Sequence, residues 1–205
     1  FLRASGYFTL RPFLNSIEKV RILIGIDVDK YIVEANNRGQ LFFGAEKMVK
    51  QDYLARLRKD IEQSKYSKEV EEGIFQLVED LISGKLELRA HPKKKIHAKI
   101  YLLYPKEFNE YTFGAAITGS SNLSGNGLGI SQDCQYEFNV KLTDYEDVKF
   151  ARDEFEQLWE EAKDCSILAD DIKDGPIMGT YLGGDVTPYE LYVKMLMEYF
   201  ADRVL

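Results

Sequence analysis

The spacing of apolar residues changes along the chain and predicts strands alternating with helices. The segments Ala4–Phe8 and Val20–Asp27 have the pattern of strands, and the second is a near-continuous apolar run of the kind that is buried on both faces. Leu10–Lys19, which lies between them, is long enough for a short helix. We therefore expect the chain to open with a β-α-β unit.

Helical spacing follows in the next part of the chain, over Ala45–Gln63 and Lys68–Ser83. Gly84 suits the end of the second helix, because glycine adopts the left-handed conformation that closes many helices. Four further segments then have the pattern of strands: Lys85–Ala90, Ile96–Tyr104, Phe113–Thr118 and Gln135–Leu142.

Two capping boxes predict where the last two helices begin. In each box a threonine caps the first turn, and a glutamate three residues later reaches back to the threonine N–H. The pairs are Thr143 with Glu146 and Thr187 with Glu190, joined by a glycine-rich connection over 175–184. We expect the apolar stripe of the terminal helix to dock on the same domain; a connector to a further domain is the alternative.

This alternation predicts an α/β fold, a three-layer α/β/α sandwich with a central mixed β-sheet. We expect residues 1–170 to form one domain and residues 171–205 to form the glycine-rich connection and terminal helix, with a linker to a downstream domain as the alternative for this last part. The chain begins at Phe1 without a methionine, which suggests part of a longer polypeptide.

Composition and charge refine this picture in two ways. The short, interrupted apolar runs, the missing secretion signal and only two cysteines (Cys134 and Cys165) favour a reduced cytoplasmic setting without a membrane partner. The net charge is −7, yet the segment Lys85–Lys99 contains six basic residues and one acidic residue, Glu87. This run either attracts a polyanion or is a solvated corner. Its basic residues are Lys85, Arg89, Lys93, Lys94, Lys95 and Lys99.

The candidate chemistry lies in three consecutive predicted strands. His97 and Lys99 share one face of the first, because alternate strand residues point the same way. The second ends in Gly119-Ser120-Ser121-Asn122, whose hydroxyls, amide and backbone N–H groups suit phosphate oxygens. Glu137 lies in the third strand, where a carboxylate needs a partner. Each feature also has a purely structural interpretation. His97 could be a core or edge histidine whose hydrogen bonds are satisfied within the fold, the serine-rich segment could be an ordinary turn, and Glu137 could form a salt bridge with Lys99.

The ordered combination resembles the phospholipase D superfamily, whose signature is His-x-Lys, an aspartate, Gly-Ser-x-Asn and a downstream acid. Ala4–Phe8, Arg21–Asp27 and Thr187–Tyr192 are also similar to the phospholipase D-like module of certain helicase-type proteins, so the resemblance covers nearly the whole chain. It implies that residues 1–170 form a phospholipase D-like domain. The implied catalytic residues are His97, Lys99, Ser120, Asn122 and Glu137. The implied phosphate-binding residues are Lys99, Ser120, Ser121 and Asn122, with Lys93, Lys94 and Lys95 beside them.

The sequence departs from the family pattern at three points. Tyr104 stands where the aspartate is expected, which favours the nuclease-type branch over lipases. The segment around Pro105–Tyr111 is longer than in compact relatives. The chain has one Gly-Ser-x-Asn and therefore one complete motif, although His91-Pro92-Lys93 repeats the His-x-Lys spacing ahead of the predicted strand. Because the family chemistry uses two such motifs, the resemblance implies a homodimer with half of the site in each copy.

The resemblance therefore implies a nuclease that cuts nucleic acid, with DNA favoured, through a phosphohistidine and without a metal or other cofactor. The implied setting is the nuclease domain of a larger helicase or restriction-type protein. Two alternatives stay open: a catalytically silent DNA-binding module, and a phospholipase or small-phosphodiester hydrolase. A Walker-type ATP site is not predicted, because Gly125–Gly129 lacks the lysine of that motif.

Overall fold

The protein combines helices with two small β-sheets. A computed structural model describes residues 4–25, 45–63, 68–92, 94, 96–129, 136–184 and 187–201. The helices are α1 (Ala4–Leu10), α2 (Ala45–Gln63), α3 (Lys68–Ile82), α4 (Tyr145–Glu161), α5 (Ala169–Ile172) and α6 (Pro188–Ala201). The strands are β1 (Val20–Ile24), β2 (Leu86–Ala90), β3 (Ile100–Leu103), β4 (Ala115–Gly119), β5 (Asn139–Leu142) and β6 (Ser166–Ile167).

Where the sequence predicts one mixed sheet, the described strands form two sheets of three. The first has the order β1-β2-β6, with β1 parallel to β2 and β6 antiparallel to β2. The second is fully antiparallel, with the order β3-β4-β5. The sheets meet where the end of β1 approaches the segment before β3: a Cβ on Gly25 would lie 2.2 Å from the Ile96 carbonyl oxygen.

Most of the apolar core lies around the first sheet. Its buried side chains come from α1, α2, α3, all three strands of the sheet and the segment after β6, and include Ile61, Ile74, Leu77, Leu88 and Ile172. A smaller core forms where α4 covers the second sheet, with Val148 and Ala151 against Ala116. Helix α4 packs on the Leu102–Ala116–Leu142 end of this sheet, whereas Gly119 and Ser120 at the opposite end are exposed.

The helix predictions over Ala45–Gln63 and Lys68–Ser83 are confirmed, the second to within one residue. The capping box at Thr187 is also confirmed: the Glu190 N–H donates to Thr187 Oγ1 at 3.2 Å, and the Thr187 N–H donates to Glu190 Oε2 at 3.0 Å. At the other predicted box the cap is Asp144, whose side chain accepts from the Glu146 N–H. That helix starts one residue later than expected, and aspartate caps as well as threonine.

The predicted strand Ala4–Phe8 is wrong, because this segment is the helix α1. Two glycines let other segments approach this helix closely. A Cβ added to Gly6 would lie 2.3 Å from the Leu123 carbonyl carbon, and a Cβ added to Gly73 would lie 2.3 Å from the Phe8 ring. Such tertiary contacts override a weak local preference. The helix predicted over Leu10–Lys19 shortens to a 3-10 turn at Arg11–Leu14.

The terminal helix α6 contacts the body through an ion pair between Lys194 and Glu71. Most of its apolar side chains are exposed, among them Tyr189 at 74% and Met195 at 62%. The expectation that its apolar stripe docks on the domain is therefore not met by the described contacts. In the described part of the chain, no helix has both the length and the apolarity to cross a membrane. Cys165 is buried, and Cys134 lies outside the described residues.

Candidate active site

The register of the second sheet brings the three predicted motifs to one edge. Gly119, the last residue of β4, lies opposite Asn139, the first residue of β5. On the other side the Gly119 N–H donates to the Lys99 carbonyl at 3.4 Å, just before β3 begins. Lys99, Ser120 and Glu137 therefore lie immediately outside the ends of three neighbouring strands. The sequence pattern predicts Lys99 and Glu137 within strands, which is wrong; Ser120 follows the end of its strand, as predicted.

His97 and Lys99 are in direct contact at this edge. Lys99 Nζ lies 3.0 Å from His97 Nε2, 3.2 Å from Nδ1 and 3.0 Å from the His97 carbonyl oxygen. An ammonium group only donates hydrogen bonds, so the ring nitrogen that it contacts must carry a lone pair. A neutral imidazole carries one such lone pair, and this is the form that can act as a nucleophile. The His97 side chain is exposed and accessible to a substrate.

Ser120 and Glu137 form the second pair of the site. The Ser120 hydroxyl donates to Glu137 Oε2, and Ser120 Oγ accepts from the Phe138 N–H at 3.0 Å. The Ser120 N–H in turn donates to the Phe138 carbonyl at 3.1 Å. In the described part of the structure Glu137 is therefore bonded to Ser120, and neither to His97 nor to Lys99. The hydroxyl proton of Ser120 is engaged in this state.

Asn122 follows in a compact turn. Its carbonyl accepts from the Ser124 N–H at 2.9 Å, and a Cβ on Gly127 would lie 2.2 Å from that same oxygen. Among the described contacts, the side-chain amide of Asn122 makes no hydrogen bond. It is half-buried and available to a ligand at the edge of the sheet.

Ser121, which sequence reasoning places among the phosphate ligands, has only 4% of its surface exposed. Its hydroxyl accepts from Asn139 Nδ2 at 2.7 Å, and its carbonyl accepts from the Tyr101 hydroxyl at 3.0 Å. Burial raises the pKa of Tyr101, and the nearby Glu137 carboxylate raises it further, so its hydroxyl stays a donor at neutral pH. Tyr101 and Asn139 are site residues that motif reasoning misses.

The basic run leading to the site is partly neutralised. Lys94 Nζ lies 2.9 Å from Glu161 at the end of α4. The hydrogen bond from Lys94, and to a smaller extent the one from Gln157, lowers the pKa of Glu161 to about 2. The Arg89 guanidinium lies 4.2 Å from the centre of the Trp159 ring and donates to the Trp159 carbonyl. Lys93 and Lys95 lie outside the described residues. Within the described chain, Lys99 is the member of this run that contacts the candidate site.

Two residues near the motif in sequence, His91 and Tyr104, have structural partners. His91 is fully buried; its Nδ1 accepts from the Lys94 N–H at 2.9 Å, and its Nε2 lies 3.2 Å from Glu161. Tyr104, at the position of the expected aspartate, donates from its hydroxyl to Glu156 at 3.0 Å and contacts Arg21. Both residues tie strands to α4 and lie outside the constellation at the sheet edge.

The sheet edge thus carries an imidazole, an ammonium group, a hydroxyl, a free amide and a carboxylate. These groups can attack an electrophile, stabilise oxyanions and transfer protons. A cluster of three or more histidine, cysteine or carboxylate side chains that could hold a metal ion is absent from the described residues. Comparison with family models, curated proteins and solved structures finds no match for this chain.

Proposed function

We propose that this protein is a metal-independent phosphodiesterase that acts on nucleic acid, with DNA favoured, through a phosphohistidine intermediate. The observation that supports this most directly is the register of the sheet. It brings the backbone of Lys99, whose side chain contacts His97, next to Gly119, and it brings Ser120 next to Glu137 at the same edge. The proposal includes a phospholipase D-like three-layer sandwich and a cytoplasmic setting. It also includes a place within a larger helicase or restriction-type protein.

In the first step the neutral His97 ring attacks phosphorus, and the bond from phosphorus to the leaving oxygen breaks. The leaving oxygen takes a proton from the protonated His97 of a second copy of the chain. That second imidazole then removes a proton from water, whose oxygen attacks phosphorus and breaks the P–N bond. Both rings return to their starting forms, so the cycle balances.

Lys99 and Asn122 would stabilise the non-bridging oxygens while negative charge builds on them. Ser120 has a single hydroxyl proton, which cannot serve Glu137 and a phosphate oxygen at once. Phosphate binding would therefore turn this proton away from Glu137. The freed carboxylate could then accept from a His97 N–H and fix the tautomer of the ring.

A second candidate is a nucleic-acid-binding module without catalysis. One observation favours it: the Ser120 hydroxyl is already bonded to Glu137, so the site as it stands offers fewer free donors than its composition suggests. The two candidates differ in turnover, whereas both expect phosphate contacts at Lys99 and Asn122.

The test is hydrolysis of single- and double-stranded DNA and RNA, with a short-chain phosphodiester lipid as a further substrate, in excess EDTA. We expect nucleic-acid cleavage to persist in EDTA, to follow a bell-shaped pH profile and to fall by at least about 1,000-fold in His97→Ala and Lys99→Ala. Lys163→Ala is the matched control, because Lys163 is exposed and pairs with Glu160 away from the site.

Four outcomes would count against the proposal. Loss of cleavage in EDTA would exclude the metal-free mechanism, and full turnover by His97→Ala would exclude this nucleophile. Binding of nucleic acid without cleavage, with an affinity that falls in Lys99→Ala but not in His97→Ala, would favour the silent DNA-binding module. Preferential hydrolysis of the lipid would favour the phospholipase alternative.

A further inference from the structure

The turn that carries the candidate phosphate ligands is held through its one buried residue. Ser121 lies between Ser120 and Asn122 and is 4% exposed, whereas Ser120 is exposed and Asn122 is half-buried. A side chain buried between two ligands cannot itself reach a substrate. It can, however, fix the position of both neighbours, since they share its backbone.

Asn139 holds Ser121 from the neighbouring strand. Its Nδ2 donates to Ser121 Oγ at 2.7 Å, and its Oδ1 lies 3.4 Å from the Ser121 nitrogen. One amide group thus spans the side chain and the backbone of the same residue. Because Asn139 is the first residue of β5, the sheet register fixes its position.

Gly119 makes this reach possible. It lies directly opposite Asn139, and a Cβ on Gly119 would lie 2.4 Å from Asn139 Oδ1 and 2.2 Å from the Phe138 carbonyl oxygen. No real side chain tolerates such distances, so the amide of Asn139 lies across the space that a glycine leaves empty. The glycine of the Gly-Ser-x-Asn motif is therefore explained by its partner across the strands.

Tyr101 closes the arrangement from the other side. It projects from β3, on the far side of β4, and its hydroxyl donates to the Ser121 carbonyl at 3.0 Å. The backbone of Ser121 is thereby held by the strands on both sides of β4. Lys99 precedes Tyr101 by two residues, so the group that holds the turn and the candidate cation belong to one rigid segment.

We infer that Asn139 and Tyr101 are positioning residues, which lock Ser121 so that Ser120 and Asn122 stay aligned with Lys99 and His97 for the phosphate of the substrate. This inference rests on the proposed function for its catalytic meaning. The contacts among Asn139, Ser121 and Tyr101 stand independently of it.

The test compares Asn139→Leu with Asn109→Leu. Asn109 is the matched control because its Oδ1 also holds backbone N–H groups, those of Tyr111 and Thr112, in a turn away from the site. We expect kcat to fall about 10- to 100-fold in Asn139→Leu, as for a small displacement of catalytic groups, with a smaller change in KM. Asn109→Leu should leave kcat unchanged even if its unfolding midpoint drops equally.

A double-mutant cycle separates positioning from general loosening of the fold. Once Asn139→Leu has removed its partner, Ser121→Ala should cost little more in kcat, because the two side chains act as one unit. Tyr101→Phe should lower kcat in the same direction. Amide hydrogen exchange over residues 120–122 should accelerate in Asn139→Leu and stay unchanged in Asn109→Leu.

The possible failures are distinguishable. Equal kcat in wild type and Asn139→Leu, or full additivity with Ser121→Ala, would overturn the positioning role while leaving the nuclease proposal intact. If wild type cleaves nothing, the proposed function fails. The inference is then tested by titration with inorganic phosphate, in which the backbone amide NMR signals of Ser120 and Asn122 are followed. Equal phosphate affinity in wild type and Asn139→Leu would overturn it.

Discussion

At the scale of single residues, glycines determine how closely other segments approach the candidate site. Gly119 leaves room for Asn139, and Gly6 lets α1 lie directly against the backbone at Leu123 and Ser124, just beyond Asn122. These two close approaches come from distant parts of the chain. Both serve the same short turn.

Gly6→Ala tests the second approach. The added Cβ would lie 2.3 Å from the Leu123 carbonyl group, and backbone atoms cannot yield as the end of a flexible side chain can. We expect the free energy of unfolding to fall by about 1–3 kcal/mol, the usual cost of overpacking. Urea unfolding measures it, with Gly175→Ala as the control because a Cβ at Gly175 meets nothing within 4 Å. An unchanged Gly6→Ala midpoint would show that α1 does not seat against this turn.

The residue scale also shows what a motif cannot reveal. His97, Lys99, Ser120 and Asn122 are recognisable because their types and order carry chemistry. Asn139 has no such signal, because its importance comes from lying opposite Gly119 in the sheet. A cross-strand register of this kind depends on where β4 and β5 begin, and no local pattern fixes that.

At the scale of elements, the long helices are predictable and the short ones are not. Ala45–Gln63 repeats apolar positions at helical spacing from Val49 to Ile61, so the sequence predicts this helix. Ala4–Phe8 is too short for its apolar spacing to distinguish the two-residue period of a strand from the 3.6-residue period of a helix. It becomes helical where Gly6 and Tyr7 meet partners far along the chain.

The strongest of these partners is Asp80 on α3. It accepts hydrogen bonds from the Tyr7 hydroxyl on α1 and from Arg11, whose Nε lies 2.5 Å away and whose second nitrogen lies 3.0 Å away. Burial alone would raise the pKa of Asp80, but the hydrogen bonds from Arg11 and Tyr7 outweigh it and the pKa lies below its usual value. The charged carboxylate thus fastens α1 to α3.

Asp80→Asn should therefore destabilise the protein by about 1.5–3 kcal/mol at neutral pH, the range for hydrogen bonds to a charged group. A lowered pKa in the folded state means that the contribution of Asp80 is present above the pKa of the unfolded chain, about 3.9, and is lost as pH falls through the folded value. The difference between wild type and Asp80→Asn in urea unfolding should shrink below about pH 4. A difference that stays constant with pH would show that charge plays no part.

At the scale of the whole molecule, the sequence holds a single Gly-Ser-x-Asn and therefore one complete motif, so the proposed chemistry uses two copies of the chain. A closed two-fold arrangement would place the same edge of each copy against the other. Nucleophile and general acid would then be the same residue, His97, in different chains. This sharing has a consequence that no mechanism confined to one chain produces.

Wild type mixed with His97→Ala should lose activity once subunits exchange. In a one-to-one mixture, random pairing puts about half of the wild-type chains into mixed dimers, where one of the two histidines is missing. Activity per wild-type chain should fall to about one half after exchange, and further with excess variant, because a mixed dimer cannot complete the cycle. A separate mixture with Lys163→Ala should keep full activity, since Lys163 lies away from the site. Activity that ignores added His97→Ala under conditions of proven exchange would place a complete site within one chain.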